Sequence, residues 1–139
     1  MIAIVPGDLP TKDELVELYS AVGWTAYTKD PEQLAMAVAN STYVAGLRAD
    51  GRLVGIVRGM SDEVSVFYLQ DIIIHPDHQR RGHGKEMLDH VLDRFAHVRQ
   101  KVLLTDDEAR QHRLYRSAGY RDVREVDTLH AFVRFETPQ

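Results

Sequence analysis

The chain has no cysteine, which excludes a disulfide framework, a thiolate nucleophile and any cysteine-bound metal. It has no apolar run approaching the length needed to span a bilayer, and Met1 to Pro6 carries no basic region leading into a long apolar segment, so the sequence reads as cytoplasmic, with no membrane partner. It also lacks a basic excess: 17 Lys and Arg stand against 21 Asp and Glu, a net charge of -4. That balance argues against nucleic acid as a partner. There is no internal repeat, linker or low-complexity segment, and 139 residues with 44% hydrophobic side chains suit one domain over 1–139 with a real core. The seven histidines make no metal constellation. His75 and His78 flank a proline turn, and His90 and His97 lie two turns apart without acidic partners, so no metal is expected.

What is present centres on Gln70 to Phe95. Gln70 to Ile74 is a short β-branched run closed by His75-Pro76, and Met87, Leu88, Val91, Leu92 and Phe95 form an apolar stripe at helical spacing. Gln79-Arg80-Arg81-Gly82-His83-Gly84-Lys85 lies between them. Gly82 and Gly84 allow a tight turn and close backbone approach to a ligand, and a helix opening near Gly84 directs unpaired N–H groups into the loop. Arg80, Arg81 and Lys85 add positive charge, so the loop is suited to an anion. A magnesium-nucleotide loop would require glycine at Gln79 and Ser or Thr at Glu86, and a dinucleotide loop a small residue at Met87. Both are excluded.

The remaining chain supplies a frame for this unit. Ile2 and Ile4 predict a first strand ended by Pro6-Gly7. Thr11-x-x-Glu14 is a capping box before a helix with Leu15, Val16, Leu18, Tyr19 and Val22, ended by Gly23. Trp24, Ala26 and Tyr27 read as a connection. Asp30-Pro31-Glu32-Gln33 starts a second helix that ends near Asn40. Asp50-Gly51 predicts a hairpin between Tyr43–Arg48 and Arg52–Met60, and the next strand runs from Val64 through Ile74. Val102 to Leu104 reads as a buried strand parallel to the one before the loop, because a helix connects them. Asp106 to Glu108 would cap a last helix ended by Gly119, and Tyr120–Val126 with Thr128–Phe135 would form a terminal strand pair.

Gln79-Arg80-Arg81-Gly82-His83-Gly84 resembles the Q/R-x-x-G-x-G/A signature of the GNAT superfamily of acyl-CoA-dependent N-acetyltransferases. Leu114-Tyr115-Arg116-Ser117-Ala118-Gly119-Tyr120 resembles that family's late helix. The element order β, α, α, β, β, β, α, β, α, β, β is similar to the family's from end to end. The resemblance implies an α+β fold with a mostly antiparallel mixed sheet, splayed at the cofactor site and flanked by about four helices. It further implies acetyl-CoA as acetyl donor, its pyrophosphate on the loop from Gln79 through Lys85 and its pantetheine arm along the backbone edges of Ile72, Ile73 and Ile74. A backbone N–H near Ile73 would polarise the thioester carbonyl. By the same resemblance Tyr115 is the general acid toward the departing thiolate, and Trp24 and Tyr27 wall the acceptor pocket. The alternative for all three aromatics is ordinary packing. One departure stands out: Thr105-Asp106-Asp107 replaces the Asn with which many relatives hold the pantetheine arm.

An alkylammonium acceptor must lose a proton before it can attack. Asp71 and Glu63 are the candidate bases, directly or through water, although strand alternation can turn Asp71 away and a turn residue such as Glu63 is commonly only solvated. With no cysteinyl acyl-enzyme available, direct attack in a ternary complex is expected. The reading is an acetyl-CoA-dependent N-acetyltransferase acting on a primary amine of a small molecule, peptide or protein. The alternatives are a non-catalytic acyl-CoA-binding regulatory module, and an acyltransferase using a longer chain. A homodimer through the terminal strands is compatible with the resemblance.

Overall fold

The computed structural model describes residues 1–136. Met1–Leu104 form one compact unit and a second begins at Thr105. The first unit is built on a five-stranded sheet in the order β1 (Ile2–Pro6), β2 (Tyr43–Ala49), β3 (Arg52–Ser61), β4 (Val66–Ile74) and β5 (Gln100–Leu103). Neighbours from β1 to β4 are antiparallel, and β5 is parallel to β4. The hairpin between β2 and β3 turns on Asp50 and Gly51 alone. Their φ values of 49° and 88° are the positive pair that a two-residue connection requires.

Helix α1 (Lys12–Ala21) opens with the expected capping box: Glu14 N donates to Thr11 Oγ1 at 3.1 Å and Thr11 N to Glu14 Oε1 at 2.9 Å. A single turn, α2 (Thr25–Thr28), occupies what the sequence reads as a connection, since four residues are too few to show a period. Helix α3 (Pro31–Ala39) starts on Asp30, whose carboxylate accepts from Gln33 N at 3.1 Å. Leu15, Leu18 and Tyr19 of α1 and Leu34 and Val38 of α3 bury against Val44, Ile56 and Ile73 on one face of the sheet. Helix α4 (His83–Arg94) covers the other, where Phe95 stacks on Phe67 with ring centroids 4.3 Å apart.

In the second unit, α5 (Ala109–Ser117) ends at Gly119, with φ +93°. Its N-cap position is Glu108, but no side chain caps it, contrary to the expected role of Asp106 to Glu108. The expected terminal strand pair is also absent: the described residues after Tyr120 contain a 3-10 turn over Val123–Glu125 and no strand. The cause is local. Asp122 accepts from Arg124 N at 2.9 Å and pairs with the Arg124 guanidinium, bending the chain where a strand would run, and Thr128 sits at φ +65°. Among the described residues no helix is long and apolar enough to cross a membrane.

Candidate functional site

The glycine loop follows β4 directly. His75 Nδ1 accepts from Asp77 N at 3.1 Å and opens a 3-10 turn over Pro76–His78. Gln79 folds back, its Nε2 donating to Ile74 O at 2.9 Å. Arg80 at φ +63° and Gly82 at φ +87° then bend the backbone into α4. Gly82 is the N-cap and has no side chain to cover the first N–H groups of the helix, so those amides and the exposed Arg80 and Arg81 lie together. His83 and Gly84 begin the helix. Lys85 is turned along it, its ammonium 2.6 Å from Asp89. Burial and the Arg81 guanidinium push the His78 imidazole below its ordinary range, which keeps it neutral at pH 7.

The sheet opens next to this loop. The parallel ladder joins Val66–Leu69 to Gln100–Leu103 and ends there, whereas Ile72, Ile73 and Ile74 continue on β4, paired with β3 on their other side. His75 N donates to Val54 O of β3 at 2.8 Å. Ladder alternation therefore turns Ile73 toward β3 and leaves the Ile72 N–H and C=O and the Ile74 N–H on the open edge, the Ile74 C=O being held by Gln79. A backbone edge with three groups facing a gap can add an extended amide-bearing ligand as a further strand does.

Two residues before that edge β4 contains a bulge. Arg58 pairs with Asp71 and Gly59 with Leu69, so Gln70 is the extra residue. The bulge shifts the side-chain alternation by one. Phe67 faces α4, while Asp71 and Ile73, which uninterrupted alternation would place on that same face, point toward α1 and α3. Asp71 is consequently buried and not turned to solvent. Its Oδ2 accepts from Arg58 Nε at 2.7 Å and from Tyr19 Oη at 2.8 Å, and its Oδ1 from Tyr27 Oη at 3.2 Å. Burial, reinforced by the Asp71 charge, pushes both phenols above their ordinary value and keeps them protonated donors. Gln70 Nε2 donates to Tyr27 Oη at 3.1 Å. Trp24 stacks on Tyr27, centroids 5.9 Å apart, and both rings are half-buried. Trp24, Tyr27, Gln70 and Asp71 thus form one cluster over the bulge.

Arg58, Tyr19 and Gln70 were not singled out by sequence reasoning. Arg58 gave a usable signal: an arginine inside the apolar run Leu53 to Met60 of a central strand requires a buried acid. Glu63 lies elsewhere, at the β3–β4 turn, bound by Arg94 at 2.7 and 3.0 Å. In the second unit, Tyr115 is buried in α5, its ring edge-on to Tyr120 at 6.0 Å. Burial, with Tyr115 adding to it, pushes the Tyr120 phenol up to about 12. Among the described residues no group of three or more His, Asp or Glu can hold a metal ion.

Residues 11–120 match the acetyltransferase (GNAT) family. A Gibberella zeae protein with an acetyltransferase name, FG08082, is 31% identical over 126 residues, 88% of this chain and 68% of its own length. The uncharacterised N-acetyltransferase ycf52 of Pyropia yezoensis is 28% identical over 77% of this chain and 63% of its own length. Among solved structures, the GNAT-family acetyltransferase SP0256 of Streptococcus pneumoniae superposes with a TM-score of 0.83 at 26% identity, covering 99% of this chain and 100% of that one. The glycine loop, the open edge of β4 and these matches agree: the chain belongs to the GNAT family of acetyltransferases.

Proposed function

We propose that the protein is a cytoplasmic N-acetyltransferase that moves the acetyl group of acetyl-CoA to a primary amine by direct attack in a ternary complex. The observation that carries this reading is the open edge of Ile72 and Ile74 running straight into the positive-φ loop at Arg80 and Gly82. In this reading the pyrophosphate lies on the amides from Arg81 to Gly84, with Arg80 and Arg81 supplying charge and Gln79 fixing the loop to Ile74. The pantetheine amides pair with the β4 edge, and a backbone N–H there polarises the thioester carbonyl.

The neutral amine attacks the thioester carbon, the C–S bond breaks, Tyr115 delivers its phenol proton to the departing thiolate, and the proton shed by the new amide nitrogen restores the phenol through solvent. A positioned acid of this kind contributes ~10²–10⁴ in rate. Asp71 already accepts from Arg58, Tyr19 and Tyr27. Its part here is to position the acceptor wall, and water takes the ammonium proton. With no cysteine in the chain, no cysteinyl acyl-enzyme intervenes, and initial-rate lines for the two substrates intersect.

The test is CoA release from acetyl-CoA across a panel of small primary amines and short peptides, with Tyr115→Phe alongside. Turnover with one amine class, lowered at least about tenfold in Tyr115→Phe while acetyl-CoA still binds, is the expected result. Binding of acetyl-CoA without any turnover would favour a non-catalytic acyl-CoA-binding module. Absence of acetyl-CoA binding would overturn both.

A further inference from the structure

The hydrogen bonds around Tyr27 fix the orientation of Gln70. A carboxylate paired with a guanidinium accepts and does not donate, and Asp71 is so paired, its Oδ2 2.7 Å from Arg58 Nε. The single Tyr27 proton is therefore directed to Asp71 Oδ1 at 3.2 Å. The phenol oxygen is left as an acceptor, and Gln70 meets it at 3.1 Å with its amide nitrogen. The opposite amide orientation would set a carbonyl oxygen against a phenol oxygen with no proton between them. Gln70 thus keeps its NH₂ on Tyr27 and holds Oε1 as an acceptor with no assigned donor among the described residues.

The position of the Gln70 side chain follows from the bulge. Gln70 is the extra residue of β4, so it reaches Tyr27 on the same side as Asp71 and two residues before the Ile72 edge. Beside it stand the half-buried Trp24 and Tyr27 rings, stacked at 26°. An apolar wall with one fixed acceptor suits a ligand having an N–H donor on a hydrocarbon stem. Rings alone have no need of the N–H, since their faces hold quaternary ammonium groups well.

Building on the transferase reading, we propose that Gln70 is the specificity-determining residue of the acceptor end: its side-chain carbonyl oxygen accepts an N–H of the amine and selects primary amines over fully substituted ones. Asp71 and Tyr27 are the positioning residues that hold it in this orientation.

Trp24 is the only tryptophan in the chain, so its emission reports on this cluster directly. Titration of the full chain with benzylamine and with benzyltrimethylammonium, which has no N–H, should show benzylamine binding at least about fivefold more tightly, the loss expected when one polar partner is left unmade. In Gln70→Leu the ratio should fall below about twofold, with acetyl-CoA affinity unchanged. Tyr27→Phe, which removes the phenol that the Gln70 amide nitrogen meets, should likewise lower the ratio.

The proposal is overturned if the quaternary probe binds as well as benzylamine, if Gln70→Leu keeps the ratio, or if neither probe changes the emission or gives heat in calorimetry. These outcomes separate from the transferase reading. Selectivity without any acetyl transfer would sink the reaction and leave the role of Gln70 in amine recognition. Transfer with the ratio unchanged in Gln70→Leu would do the reverse.

Discussion

Arg58 and Asp71 stand directly opposite each other in the β3–β4 ladder, with Arg58 Nε 2.7 Å from Asp71 Oδ2 and both side chains buried. Neither charge is left short of partners. The Arg58 guanidinium also donates to Ser41 Oγ at 3.2 Å, and the carboxylate receives two phenol protons. The pair ties α3 and α1 to the bulged part of β4, so the orientation of the Trp24, Tyr27 and Gln70 cluster depends on a charge pair in the core.

Removing one partner of such a pair leaves the other charge uncompensated, at a cost of roughly 3–5 kcal/mol, whereas replacing both with apolar groups is often close to neutral. In a Tyr19→Phe background, where no buried phenol is left without an acceptor, Arg58→Leu should therefore lower stability by about that amount, and Arg58→Leu with Asp71→Leu should recover most of it. Urea unfolding of the two single variants and the double variant measures the difference. Equal losses in the single and double variants would show that the pair contributes through packing and not through charge.

Gly59 faces the same bulge from β3. A Cβ built there would lie 2.5 Å from Phe67 Cζ and 2.6 Å from Tyr68 O. Phe67 cannot retreat because it is buried against Phe95. Overpacking of this kind costs roughly 1–3 kcal/mol, so Gly59→Ala should unfold at a midpoint clearly below that of the natural chain. Thermal unfolding followed by circular dichroism checks this.

The parts legible in the sequence were those set by local chemistry. Pro76, Gly82 and Gly84 punctuate a β-branched run and an apolar stripe, and the caps at Thr11 and Asp30 and the turn at Asp50-Gly51 are fixed within a few residues. The bulge at Gln70 was not legible, because it inserts one residue without glycine or proline and appears only when β3 sets the register. With it were hidden the face of Asp71 and its pairing with Arg58, which is 13 residues away in sequence. The terminal strands were misread for a related reason: alternation marks an apolar side, but a strand needs a ladder partner, and Asp122 offers its neighbours a local alternative.

Gly82 carries the turn into α4 at φ +87°, and a Cβ there would meet nothing within 4 Å. Alanine would thus bring backbone strain of about 1–2 kcal/mol without a clash. In the proposed reading its larger effect falls on acetyl-CoA, because the added methyl group stands where backbone would approach the pyrophosphate. Gly82→Ala should weaken acetyl-CoA binding at least about tenfold by calorimetry while the folded spectrum is kept. Unchanged affinity would place the pyrophosphate elsewhere.

Stability in acid should report on Glu14. Arg48 donates to it at 2.6 and 3.2 Å while also holding Asp8, and the Thr11 amide adds a further bond. The guanidinium first, and then that amide, lower the Glu14 carboxyl from its ordinary 4.5 to about 2. A group whose folded value is depressed contributes its full stability above the unfolded value and loses it as pH falls through the folded one. The contribution of Glu14 is therefore complete above about pH 4.5 and declines toward pH 2. Because the pair is partly exposed, with 30% of the Glu14 side chain accessible, solvent screening reduces it to roughly 1 kcal/mol. Other carboxylates also add to stability in acid, Asp62 and Asp122 among them, both lowered by local hydrogen bonds. The informative quantity is consequently the difference in urea midpoint between the natural chain and Glu14→Gln. That difference should be constant from pH 7 to about pH 5 and shrink toward zero by pH 2, while the background from the other acids cancels. A difference that persists undiminished at pH 2 would show that Glu14 acts through packing and not through its charge.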